Sequence, residues 1–150
     1  MTARRSGVAR PGGAGAPYVG AVSGAVIVVA AFLPWYATNL GPPFSPASVS
    51  GWEATNMARV AVAMGVVIAV AAAAAALDER GSLRLDRRVG DALGWVVVVA
   101  SVVAAAAVGY RLLAMPEPAE FLSRQVGLYL AAVATVGGIL SGLALVATRE

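Results

Sequence analysis

Four apolar stretches constrain this chain more than anything else in it. They run from Tyr18 to Tyr36, Met57 to Leu77, Ala92 to Met115 and Val126 to Ala147. As helices rising about 1.5 Å per residue they would be about 28 to 36 Å long, and the hydrocarbon core of a bilayer is about 30 Å thick. Charged residues make up 13% of the sequence, against about 25% in soluble domains. Too little polar surface remains to cover four such stretches in water. The pattern predicts an all-α fold, a bundle of four transmembrane helices over residues 18–147, with no room for a second domain. Residues 1–17 carry Arg4, Arg5, Arg10, glycines and prolines, and this composition predicts a flexible cytoplasmic tail. Residues 148–150 form a short cytoplasmic C-terminus.

Arginine placement predicts the orientation, because short cytoplasmic loops carry the excess of basic residues. The tail has three arginines, the connection from Asp78 to Asp91 has Arg80, Arg84, Arg87 and Arg88, and the C-terminus adds Arg149. The other side has Arg124 in its second connection and Arg59 and Arg111 at span ends, eight against three. Both termini are therefore predicted inside, in a multi-pass protein of the cell (plasma) membrane. The first span lacks a small-x-small cleavage pattern, which argues against a removable signal peptide. Tyr18 and Trp95 at one side, and Trp35, Tyr36, Tyr110 and Tyr129 at the other, read as interfacial aromatic belts.

Several chemistries are excluded by composition. The chain has no cysteine and no histidine, which removes disulfides, thiol catalysis, histidine-ligated haem and the usual zinc sites. No cofactor is predicted. The arginines flank the spans and build no basic face, so no nucleic-acid partner is predicted either. No phosphate-binding glycine loop or nucleophile elbow occurs. The centre of every span lacks an ionisable residue, whereas ion-coupled transporters keep one there for function. Ser23, Ser101, Thr135 and Ser141 are the polar residues within the spans, and each can bond back to its own helix.

One cluster of functional groups remains, on the predicted outer face: Trp52, Glu53, Arg59, Arg111 and Arg124. Arg59 stands near the start of span two, where the helix dipole disfavours a cation, and Glu53 is predicted within ion-pair reach of Arg59 or Arg111, with Trp52 folded against the outer helix ends. The first outer loop must also return Phe44, Val49 and Trp52 to some surface. This cluster reads either as a site for an anionic headgroup or extracytoplasmic partner, or as snorkelling arginines in an aromatic belt.

Small residues four apart mark helix faces that can approach closely. Gly20 and Gly24 do so in span one, and Gly138 and Gly142 in span four. These stripes predict helix packing, within the chain or between chains.

The order Phe32-Leu-Pro-Trp-Tyr36, Ser50-Gly-Trp-Glu-Ala54, Tyr110-Arg-Leu-Leu113 and Gly127-Leu-Tyr-Leu-Ala131 resembles a group of uncharacterised four-span membrane proteins common in high-GC Gram-positive bacteria. The resemblance covers most of residues 18–147 and implies four spans without implying an activity. Claudin-type proteins are less similar, because their cysteine pair is missing and the first outer loop is short. The sequence thus predicts a non-enzymatic integral membrane protein whose partners are the bilayer, a second copy or another membrane protein. The alternative is a subunit of a small oligomeric transporter or channel.

Overall fold

The computed structural model describes residues 15–39, 41, 43, 47–117 and 119–148. The predicted tail up to residue 14, the loop residue Phe44 and the terminal Arg149 lie outside the described residues. Four long helices carry the fold: α1 (Ala16–Phe32), α3 (Asn56–Glu79), α4 (Arg87–Leu113) and α5 (Val126–Ala147). They pack side by side in the cyclic order α1, α3, α4, α5. By length and composition α3, α4 and α5 are apolar enough to cross a membrane, with mean hydropathies of 2.6, 2.3 and 2.1 over their most apolar windows. Helix α1 is shorter, at 17 residues.

The first helix departs from its apolar run at both ends. Ala16 and Pro17, inside the predicted tail, already belong to α1 and are buried. Proline fits a first helical turn because its missing N–H is unpaired there anyway. At the other end Pro34 bars its predecessor from helical geometry, and Leu33 is extended at φ −78, ψ 161. Pro34, Trp35 and Tyr36 are therefore not the last turn of a helix. They begin a strand, β1 (Pro34–Thr38), which pairs antiparallel with β2 (Ser48–Ser50) on one side and β3 (Leu122–Arg124) on the other. A short helix α2 (Gly51–Ala54) follows β2, and a single 3-10 turn, Ala119–Phe121, precedes β3. The connections expected as loops thus form a small sheet at one end of a mostly helical molecule. We call it the cap.

The opposite end is a tight turn. Helix α3 runs on to Glu79 and α4 starts at Arg87, so Arg87, Arg88 and Asp91 are helical rather than part of the connection. Gly81 takes φ +72, a left-handed conformation that side chains disfavour. The Asp78 carboxylate accepts a bond from Leu85 N–H at 3.0 Å. Nearby, Arg80 Nε donates to the Tyr18 hydroxyl at 2.7 Å and its guanidinium lies over the same ring.

Helix contacts rest on small residues. A Cβ added to Gly24 would lie 2.5 Å from Gly65 O and from Ala69 N, so α1 and α3 touch backbone to backbone. At Gly142 it would meet Val98 N of α4 at 2.8 Å, and at Gly20 the Ala72 Cβ of α3 at 2.9 Å. Gly138 faces Ser101 Oγ. Between these crossings Ile27, Ile68, Val97 and Leu128 are fully enclosed. Of the interior hydroxyls, Thr135 bonds back to Ala132 O at 2.7 Å. Ser141 does not bond to its own helix: it reaches Ala16 O of α1 at 2.6 Å.

Candidate functional site

Pro34 determines how the cap is attached. In a continuing helix its N–H would bond Ala30 O, but proline has none. The Trp35 indole N–H takes that carbonyl instead, at 2.8 Å. A bulge in the pairing with β2 leaves Pro34 opposite Ser50 and Tyr36 opposite Val49. The extra residue breaks the in-out alternation of a strand, and both Trp35 and Tyr36 are buried, at 0% and 1% exposure. They are not the interfacial anchors that the apolar run predicts. The Trp35 ring lies flat on Gly51, where any Cβ would overlap it. The Tyr36 hydroxyl donates to Arg111 O at 3.3 Å, in the last turn of α4, where helix carbonyls lack partners of their own. Gln125 N–H bonds Trp35 O at 2.8 Å, and Gly127, at the start of α5, packs against Pro34 O and Ala30 O. Strand β1 is thus tied to the ends of α1, α4 and α5.

Arg111 carries the tie on to α3. Its Nε donates to Thr55 Oγ1 at 2.8 Å. The same hydroxyl oxygen accepts Met57 N–H at 3.1 Å, capping the helix.

The five clustered residues are placed unequally. Trp52 stacks on Phe32 at 5.5 Å, at the end of α1, and the Arg59 guanidinium lies 5.5 Å above the Trp52 ring. Glu53, Arg59 and Arg111 line one open pocket of about 390 Å³ with Thr55, Asn56 and Met57. Glu53 does not pair with either arginine among the described residues. Its carboxylate accepts from Ser50 Oγ at 3.0 Å, and its N–H donates back to that oxygen at 3.4 Å. Ser50 Oγ thus caps α2 while its proton goes to the Glu53 carboxylate, and the Ser50-x-x-Glu53 spacing is the signal that could have found the pair. Arg124 stands apart in β3, opposite Tyr36, and its buried Nε has no partner among the described residues. Burial pushes the Tyr36 hydroxyl pKa up, while the nearby charges of Arg111 and Arg124 pull it partly back.

Among the described residues no three metal-binding side chains come together. What the cap offers is two guanidinium groups at a pocket, aromatic faces and the Ser50 hydroxyl against the Glu53 carboxylate. Together, apolar helices of spanning length and a polar cap with aromatic neighbours define a membrane-embedded type of protein. No family model and no curated protein sequence matches the chain.

Proposed function

We propose that this chain is a four-span integral membrane protein, both termini cytoplasmic, that neither catalyses nor conducts and acts through its extracytoplasmic cap. The observation that carries the reading is the burial of Trp35 and Tyr36 over the helix ends. A loop needed only to connect two spans has no use for a bulged strand pinned by two buried aromatic rings. A surface that must keep its shape for contact does. At 17 residues α1 is at the short end of the spanning range of about 17–25, and it serves as the fourth span with the cap resting at the headgroup level beyond it. The small-residue crossings at Gly24 and Gly142 support a sealed interior.

Reconstitution tests it. Proteoliposomes holding the full chain should be no more permeable to potassium, sodium or protons than empty vesicles. The protein should also run as one species by light scattering in mild detergent. Ion flux that scales with protein content would overturn the reading in favour of an oligomeric channel or transporter subunit.

A further inference from the structure

The seam between α3 and α4 holds two hollows of opposite character, one charged and one apolar. At the cap end lies the pocket of about 390 Å³ with Arg59 and Arg111 on its wall. Met64 begins a second hollow of about 350 Å³, lined only by apolar residues that include Val67, Trp95, Val96 and Val99. Met57 of the first and Met64 of the second are about 10 Å apart along α3 at 1.5 Å per residue. The apolar groove continues past Val66, Val70 and Leu93. We propose that this seam binds one anionic phospholipid, its phosphodiester between Arg59 and Arg111 and one acyl chain in the groove. The proposal rests on the membrane orientation given above.

Charge and shape both favour this occupant. Arg111 donates its Nε–H to Thr55 and lies 5.6 Å over the Tyr110 ring, and among the described residues neither arginine forms an ion pair. The terminal N–H groups of a guanidinium match phosphate oxygens in pairs. Arg59 also sits in the first turns of α3, where the dipole disfavours it until an anion arrives. Two cations and one acid line the pocket, and the acid is already bonded to Ser50. The balance suits a singly charged phosphodiester. Below it, a hollow between helices in hydrocarbon has no water to fill it, and an acyl chain restores the lost van der Waals contact.

Native mass spectrometry of the full chain in a non-ionic detergent, with equal amounts of phosphatidylglycerol, phosphatidylethanolamine and phosphatidylcholine, reads this directly. One phosphatidylglycerol should be retained in preference to the other two. Arg59→Gln, at an exposed side chain, should weaken retention about tenfold, the worth of a charge-assisted hydrogen bond. Val99→Trp should fill the groove and weaken retention with both arginines intact. Soluble glycerol phosphate should not displace the lipid. Equal retention of all three lipids, preference for phosphatidylethanolamine, or an unchanged Arg59→Gln variant would overturn the proposal. So would a dimer that Val99→Trp converts to monomer, which would give the groove to a second copy. A protein with no lipid preference in sealed, impermeable vesicles would remove this inference and leave the proposed function standing; ion flux would do the reverse.

Discussion

Gly51 and Gly109 show how the same residue type carries opposite obligations. Gly51 lies against the Trp35 ring with no room for a methyl group, whereas nothing lies within 4 Å of a Cβ at Gly109. Gly51→Leu should therefore destabilise the protein by about 1–3 kcal/mol, the usual range for overpacking. Gly109→Ala, within α4, should stabilise it by about 0.5–1 kcal/mol through helix propensity. Thermal unfolding of both variants in one detergent checks the contrast, and a drop at Gly109 would mean that the α4 surface is covered. Tyr36 carries a pH dependence whose sign follows from its burial. Its folded-state pKa lies above the ordinary value of about 10. Its contribution is then complete below that ordinary value and is lost as pH rises through the folded pKa. Tyr36→Phe should flatten the alkaline limb of a stability profile above about pH 10. It should also cost about 1 kcal/mol at neutral pH, for the bond to Arg111 O. An alkaline limb unchanged by the substitution would assign it to another group.

At the scale of elements, α3, α4 and α5 follow from hydropathy because each is a long apolar run bounded by charge or turn residues. The apolar run of the first span misled because periodicity cannot separate an apolar strand from the last turn of an apolar helix. Pro34 was the local signal that the helix must stop. The sheet was not legible at all. Its outer strands are three residues long, Ser48–Ser50 and Leu122–Arg124, too short for alternation to register, and a bulge hides the alternation of β1. The site was partly legible. The residue types that line the cap pocket stand out in sequence, but which of them bond each other depends on the sheet that sets their spacing. Glu53 is the example: proximity in sequence suggests Arg59, and the turn geometry assigns it to Ser50. The glycine crossings give the prediction that belongs here. Gly142→Leu would force α5 off the Val98 backbone of α4 and should lower stability by about 1–3 kcal/mol. Val133→Leu, at a position 71% exposed, should leave the melting temperature unchanged. Equal effects of the two would mean that the α4–α5 crossing has slack the glycine does not need.

For the whole molecule, the cap links the ring of helices at one end, while the other end is closed by the turn after Glu79. Arg111 joins the β1 tyrosine to the α3 cap. A molecule built this way has one structured polar face and one short, arginine-rich face at opposite ends of its helices, and the topology we propose puts them on opposite sides of the membrane. The absence of cysteine from the sequence gives labelling a clean background. Single cysteines at Ser48, exposed in β2, and at Ser82, exposed in the turn between α3 and α4, report the two faces. In intact cells an impermeant maleimide should modify Ser48→Cys, and Ser82→Cys should react only after lysis. Labelling of Ser82→Cys in intact cells with Ser48→Cys protected would put the cap in the cytoplasm and contradict an extracytoplasmic contact surface.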